Sequence, residues 1–198
     1  MQVIILTLVV VLVGGVTLLA GAEVLGRLRR MYEQGGERHW SLLGDQVELL
    51  HGHNARGGHV LDGQRRGVWL HVEAEGAWMV IRGRIEVPMP PRFRVVHHSF
   101  GAEPSVVVGS PVLDGLVHVQ GEPPAVSLLQ DPELAGALLA VVHAWPGSAI
   151  DERYVTLRYP DALGRQLPER CEEVISLVEA LRAAARRAPG REQTRTPH

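Results

Sequence analysis

The stretch GVWLHVEAEGAWMVIRGRIEV, residues 67–87, decides the fold because apolar and polar residues alternate along most of its length. A period of two is typical of β-strands with one buried face and one solvated face. The central glycine predicts a tight turn at Glu75 and Gly76. Such a turn pairs Val72 with Met79, apolar against apolar. We therefore predict an antiparallel hairpin with one face in a core.

A third strand is predicted after this hairpin. The stretch PMPPR, residues 88–92, is rich in proline and predicts a five-residue turn. Folding back at this turn keeps Phe93 and Val95 on the apolar face of the hairpin. It also brings Glu86 opposite Arg94, which favours an ion pair. The three strands then form an antiparallel β-meander.

Two further stretches predict strands beyond the meander. They are SVVVG at residues 105–109 and LVHVQG at residues 116–121. The link between them, SPVLDG, contains an Asp-Gly dipeptide, which is a turn signal. The β-rich part of the chain is thus predicted over about residues 57–120.

The last third of the chain predicts a mixed αβα segment over about residues 121–188. The stretch DPELAGALLAVVHAW, residues 131–145, predicts a helix because Asp131 suits the N-cap and Pro132 the first helical position. RYVTLRY, residues 153–159, alternates as a strand. LPERCEEVISLVEALRAAARRAPG then predicts a long amphipathic helix. Its apolar stripe consists of Cys171, Val174, Ile175, Val178 and Leu181. The predicted fold class is α+β.

The first 22 residues, MQVIILTLVVVLVGGVTLLAGA, carry no charged side chain. Some 20 apolar residues in a helix cover about 30 Å, the thickness of a bilayer's hydrocarbon core. We predict a transmembrane helix over residues 1–22 that contacts the lipid bilayer. A cleaved signal peptide ending at AGA (residues 20–22) and a buried helix of a soluble domain are the alternatives. Gly14, Thr17 and Gly21 share one helix face, which would permit a homodimer.

The remaining organisation follows from changes in composition. Residues 23–44 predict a helical juxtamembrane connector that ends with a short helix closed by Gly44. Residues 45–188 predict the α+β soluble domain. Residues 189–198 form a polar tail with nothing to order it.

Charges near the apolar segment predict its orientation. No charged side chain precedes it, and four arginines follow within the range that orients bacterial spans. These are Arg27, Arg29, Arg30 and Arg38. The pattern predicts a bacterial inner-membrane protein with its domain in the cytoplasm. The single cysteine, Cys171, is consistent with a reducing compartment.

Composition and motifs exclude several function classes. The net charge is −2 and aromatic residues make up 5% of the chain, which argues against a nucleic-acid partner. The sequence contains no phosphate-binding loop or nucleophile elbow, and it predicts neither catalytic residues nor a cofactor. Four arginines, Arg82, Arg84, Arg92 and Arg94, fall on the solvated face of the predicted meander beside acidic and aromatic residues. Cys171 lies on an apolar stripe, which indicates a buried structural thiol rather than a nucleophile.

Three histidines cluster in HGHNARGGH, residues 51–59. On a strand, His51 and His53 would project from one face, and zinc sites use such a pair together with a third histidine, here His59. The glycines and the asparagine between them are instead typical of a flexible loop. We interpret the stretch as a solvent-exposed connection, and a metal site formed by the three histidines is the alternative.

These features favour a single-pass membrane-anchored bacterial protein. Its soluble domain is predicted to be a non-catalytic interaction or assembly module with an unknown protein partner. The alternative, from a different class, is a membrane-associated metalloprotein or hydrolase that uses His51, His53 and His59. The layout resembles that of many bacterial membrane-anchored proteins, and no motif points to one family.

Overall fold

The computed structural model describes residues 36–100, 106–161 and 163–187. The predicted membrane helix at residues 1–22, with its homodimer face, and the predicted tail at residues 189–198 lie outside the described residues. By its internal contacts the chain divides after Leu42, and the architecture below is that of the unit that begins at Leu43. Within the described ranges, no helix is both long and apolar enough to cross a membrane.

The described residues form an α+β fold, which confirms the predicted class. The strands are β1 (Leu50–His53), β2 (His59–Arg65), β3 (Val68–Glu75), β4 (Trp78–Arg84), β5 (Arg94–His97), β6 (Val117–Gln120), β7 (Ala149–Ile150) and β8 (Tyr154–Pro160). The helices are α1 (residues 36–47), α2 (Pro111–Leu116), α3 (Pro124–Leu129), α4 (Pro132–Leu138) and α5 (Leu167–Arg187). A 3₁₀ turn (His98–Phe100) follows β5, and a π-helical turn (Leu139–His143) extends α4.

All these strands join one sheet in the order β1-β2-β3-β4-β8-β7-β5-β6. Every pair of neighbours is antiparallel. The first four strands follow one another as a meander, and the predicted hairpin of β3 and β4 is part of it. β8 comes last in the chain but lies between β4 and β7, so the middle of the sheet joins distant parts of the sequence.

The hairpin of β3 and β4 has a different register from the predicted one. Its turn is centred on Gly76 and Ala77, one residue later than expected. Gly76 has a φ of 65°, a conformation that glycine adopts without steric cost. Val72 therefore pairs with Ile81 rather than with Met79. Moving the turn by one residue shifts the pairing of the two strands by two residues. An even shift keeps each side chain on its predicted face, so the buried apolar row is retained.

The prediction that residues 93–95 pair with β4 as the third strand of the meander is wrong. On the side away from β3, the neighbour of β4 is β8, and Ile81 faces Leu157 with both side chains fully buried. β5 pairs instead with β6 and β7. The proline-rich segment at residues 88–91 cannot donate a full ladder of hydrogen bonds, so it carries the chain away from β4 instead of folding back on it.

The predicted ion pair between Glu86 and Arg94 is also not formed. Glu86 accepts a hydrogen bond from Arg182 of α5 at 3.2 Å, whereas Arg94 lies on β5. Arg182 also donates to the carbonyl oxygens of Gly67 at 2.9 Å and Arg84 at 3.3 Å. One guanidinium thus joins α5 to the start of β3 and the end of β4.

The stretch SPVLDG forms α2 and not the predicted Asp-Gly turn. Ser110 is the N-cap, and its side chain accepts a hydrogen bond from the backbone of Leu113. The carboxylate of Asp114 accepts from the backbone N–H of Val108 at 2.9 Å. Asp114 therefore fixes the segment before the helix. Val106 forms an isolated bridge to Val119 of β6, and residues 106–109 form no regular strand, contrary to the prediction.

α5 packs on β3, β4 and β8 and covers one face of the sheet. The predicted apolar stripe is confirmed, because its members are all 0% exposed: Cys171, Val174, Ile175, Val178 and Leu181. Burying a side chain of this size contributes about 1.5–3 kcal/mol. The predicted strand at β8 is confirmed as well. α4 and the π-helical turn pack on α5, so these three elements form one helical layer.

The beginning of α4 is joined to the end of α5. Asp131 caps α4 as predicted, accepting hydrogen bonds from the backbone of Glu133 at 3.1 Å and Leu134 at 3.2 Å. Arg187, the last residue of α5, lies 2.6 Å from the Asp131 carboxylate and 3.1 Å from that of Glu133. The capping carboxylate therefore also anchors the C-terminal end of the long helix.

α1 does not end at Gly44 as predicted but continues to residue 47. Glu48 has a φ of 59°, and the backbone N–H of Leu49 donates to the carbonyl oxygen of Gly44 at 2.9 Å. This bond is the long one of a Schellman motif. A Cβ on Gly44 would lie 2.7 Å from the carbonyl oxygen of Leu49. Gly44 is thus required by the close return of the chain toward β1, not by a left-handed conformation.

Gly83 in β4 lies beneath α5. A Cβ at this position would lie 2.5 Å from Cγ1 of Val174 and 3.1 Å from Cγ2 of Val178. Contacts below 3.0 Å cannot be kept in a close-packed interior without a shift of the neighbouring atoms. The absent side chain therefore sets how closely the helix approaches the sheet.

We predict that Gly83→Ala lowers the free energy of unfolding by about 1–3 kcal/mol, because the added methyl group overpacks the interface with α5. The matched control is Gly136→Ala in α4, where a Cβ meets nothing within 4 Å. This control should keep the stability or raise it by up to about 1 kcal/mol. Urea unfolding of residues 36–188 measures both, and a Gly83→Ala domain as stable as the wild type would contradict the close packing of α5 on Gly83.

Candidate functional site

The predicted histidine loop folds as the end of the β1–β2 hairpin. His53 pairs with His59 across the two strands, and residues 54–58 form the turn between them. The Asn54 side chain accepts a hydrogen bond from the backbone of Gly58 at 2.9 Å, and the Asn54 N–H donates to the Gly58 carbonyl at 2.8 Å. The interpretation as a flexible loop is wrong for the histidines, because all three lie on paired strands.

The three histidines share one face of the sheet. His51 and His53 are two residues apart on β1, so their side chains project from the same face, and His59 joins them as the cross-strand partner of His53. The strand partner of His51 is Leu61, which is fully buried. His51 and His59 are half-buried and His53 is exposed. The cluster therefore lies where the buried face of the sheet meets solvent.

The imidazole rings are close to one another. Nε2 of His51 lies 3.0 Å from Nδ1 of His59, within hydrogen-bonding distance. The ring centroids are 5.2 Å apart for His51 and His53, 5.1 Å for His51 and His59, and 4.8 Å for His53 and His59. One ring nitrogen from each residue lies within 4.8 Å of the other two. The structure thus brings together all three histidines that the sequence offered as the alternative metal site.

The opposite face of the sheet carries a network of ion pairs and hydrogen bonds. Asp62 lies 2.7 Å from His71, and Glu73 is hydrogen-bonded to Arg82. Glu75 continues the network toward two cations on neighbouring strands, since its carboxylate lies 3.6 Å from Arg82 and 3.7 Å from Arg158. The Arg158 guanidinium also lies 5.1 Å from the centre of the Trp78 ring. Asp62, His71, Glu73, Arg82, Glu75 and Arg158 form a continuous charged belt.

The four arginines Arg82, Arg84, Arg92 and Arg94 do not form one patch. Arg82 and Arg84 lie on β4, and Arg82 is paired within the charged belt as a solvated face predicts. Arg92 lies in the turn before β5 with a φ of 58°, and Arg94 lies on β5. The two pairs of arginines are separated because β5, which was predicted to pair with β4, pairs with β6 and β7 instead.

A second group of histidines lies at the other end of the sheet. The rings of His97 and His143 are stacked with centroids 5.9 Å apart, and those of His98 and His118 meet edge to face at 4.8 Å. Partial burial lowers the pKa of His97, and the neighbouring His143 and His98 lower it further. β5 and β1 are separated by most of the sheet, so His97 does not join the cluster at His51.

Two buried polar groups lie between the sheet and α5. Cys171 is fully buried, and burial raises the pKa of its thiol to about 12, with Arg65 opposing the rise and Glu172 adding to it. This confirms a buried thiol, which is not a nucleophile at neutral pH. Tyr159 is also fully buried, and burial raises the pKa of its hydroxyl. Its ring lies against Trp145, with centroids 5.9 Å apart.

Comparison with known proteins gives a likeness at the level of the fold. The sequence matches no family profile, and a comparison with curated proteins found no match. The fold is similar to the crystal structure of the mycobacterial trehalose monomycolate transport factor A, with a TM-score of 0.51 and 12% sequence identity. The likeness covers 83% of this chain and 99% of that chain. At this identity it shows a shared fold alone, and it gives the hydrolase interpretation no support.

We predict that His97 makes the domain lose stability as the pH is lowered through the ordinary pKa of histidine, about 6.5. The folded state lowers the pKa of His97. The unfolded chain therefore binds a proton that the folded chain takes up only at lower pH, and stability decreases with falling pH. His97→Gln should reduce this loss by less than about 1 kcal/mol, since His97 is partly solvated.

Urea unfolding at pH 7.5 and pH 5.5 measures this dependence. His143→Gln should reduce the loss by a smaller amount than His97→Gln, because it removes one neighbouring positive charge and leaves the burial of His97 in place. The assignment to His97 fails if the two variants and the wild type lose the same free energy between the two pH values.

Proposed function

We propose that the protein is a single-pass membrane protein of bacteria whose α+β domain is a non-catalytic interaction or assembly component. In this proposal residues 1–22 anchor the chain in the inner membrane, and the domain contacts a protein partner in a transport process. The observation that carries the proposal is the likeness to the mycobacterial transport factor, which extends over 99% of that chain.

The membrane anchor is supported by the sequence. Residues 1–22 carry no charged side chain, are mostly apolar and are long enough to cross a bilayer as a helix. Four arginines lie within about 20 residues on the carboxyl side, and the amino side carries no charged side chain. Positive flanks are retained in the cytoplasm, which supports a cytoplasmic domain.

A row of exposed aromatic side chains supports an interaction role. Trp69 on β3 is 45% exposed and Tyr154 on β8 is 37% exposed, although both are large and partly apolar. Arg84 of β4 lies between these two aromatic residues. Its strand partner on β8 is Tyr154. On the other side, Gly83 pairs with Leu70, so the next residue of β4, Arg84, lies beside Trp69 of β3. Tryptophan, tyrosine and arginine are the residues most enriched at the centres of protein interfaces.

This row lies on the face of the sheet that α5 does not cover. The inward residues of the same strands, such as Leu70 and Val155, are fully buried on the side of α5. Beside the row, Arg82 and Arg158 are already engaged by acidic side chains of the charged belt. Trp69 and Tyr154 are both on paired strands. The backbone that carries them therefore loses little conformational freedom when a partner binds.

We predict that fusions to the carboxyl terminus report a cytoplasmic domain. A fluorescent protein that folds only in the cytoplasm should be bright, and a phosphatase active only in the periplasm should be inactive. Adding arginines before residue 3 should reduce the difference between the two fusion signals, because both ends of the apolar segment would then carry positive charge. High phosphatase activity with no fluorescence would place the domain outside and refute the orientation.

We predict that a photoreactive amino acid at position 69 or 154 crosslinks to one protein partner in intact cells. The matched control is position 112 on α2, where Val112 is 56% exposed but lies outside the aromatic row. The same band should appear from both test positions, and Arg84→Glu should reduce it several-fold without changing the melting temperature. Crosslinks from position 112 alone, or none from the three positions, would refute this surface.

A further inference from the structure

We propose that His51, His53 and His59 form a binding site for a divalent transition-metal ion of the zinc class. The three imidazoles would supply three ligands, and a fourth position would stay open toward solvent. This site does not depend on the proposed interaction function, because it lies at the end of the β1–β2 hairpin and on the other face of the sheet from the aromatic row.

The spacing of the ring nitrogens fits a tetrahedral ion. Zinc binds imidazole nitrogen at about 2.0–2.1 Å, which places two such ligands about 3.3 Å apart in a tetrahedron. Nε2 of His51 and Nδ1 of His59 are already 3.0 Å apart. The ligand atoms of the whole cluster lie within 4.8 Å of one another, so they have to approach by at most about 1.5 Å to reach the tetrahedral spacing.

The backbone holds the ligands in place before any ion binds. His51, His53 and His59 lie on β1 and β2, and β2 is in turn paired with β3. The turn between the ligands is closed by Asn54, which is bonded to Gly58 through both side chain and backbone. Since the strands are fixed by the sheet, binding orders only side chains, and little entropy is lost.

The donor atoms decide the class of ion. Neutral imidazole suits Zn²⁺, Cu²⁺, Ni²⁺ and Co²⁺, whereas Mg²⁺ and Ca²⁺ require oxygen ligands. Three histidines on one side leave a coordination position free, as in zinc sites that bind a further ligand. The exposure of His53 puts this position on the solvent side. The open position would accept water or a donor group from a molecule that contacts the hairpin.

The decisive measurement is zinc binding by the full chain in detergent, prepared without a histidine tag and stripped with a chelator. Calorimetric titration with Zn²⁺ should show one ion per chain, and Co²⁺ should give the visible absorption of a tetrahedral complex. Zn²⁺ should also raise the melting temperature, because an ion that binds only the folded state stabilises it. His53→Ala should weaken binding by at least tenfold and remove the rise in melting temperature.

The matched control is His98→Ala, which removes another exposed histidine outside the cluster. It should bind Zn²⁺ as the wild type does. His53→Ala should keep the wild-type melting temperature without metal, because the side chain is exposed. If His53→Ala lowers the melting temperature without metal, His53→Asn replaces it in the zinc-binding measurements. No stoichiometric binding, equal binding by His53→Ala and the wild type, or equal losses in His53→Ala and His98→Ala would each refute the site and leave the cluster as hydrogen-bonded histidines.

Discussion

β4 and β8 pair along their whole length, from Trp78 with Pro160 to Arg84 with Tyr154. This pairing joins the N-terminal meander to β7, β5 and β6, so it makes one sheet out of two parts of the chain. It also creates the surface on which α5 packs, because that helix contacts β3, β4 and β8 together. Both the aromatic row on one face and the buried stripe of α5 on the other depend on this one strand pair.

Local signals in the sequence predicted many of the elements and the hairpin of β3 and β4, but not the second neighbour of β4. The alternation around residues 67–87 gave the correct faces of β3 and β4, and the Asp131 cap and the stripe of α5 were also correct. Alternation says which face of a strand is buried and nothing about which strand lies beside it. The choice of β8 over residues 93–95 as the partner of β4 depends on contacts between distant segments, which no local pattern contains.

The histidine cluster also could not be predicted from local sequence patterns alone. The spacing of His51 and His53 predicted a shared face, but the glycines of the stretch argued for a loop. Gly52 in fact lies within β1 opposite Val60, and Gly57 alone in this stretch has a left-handed φ, of 78°. Glycine content therefore identified the turn correctly and its length incorrectly. Only the pairing of the two strands shows that the third histidine faces the first two.

The order of synthesis gives the central strand pair a kinetic consequence. β4 leaves the ribosome long before β8, so its hydrogen-bonding edge, with the apolar Met79 and Ile81 on the flanking face, has no partner while the intervening residues are made. Long-range pairing of this kind slows folding and leaves an unpaired edge exposed to other chains. A nascent chain that stalls before Tyr154 is an unfinished sheet whose unpaired edge makes it prone to aggregation.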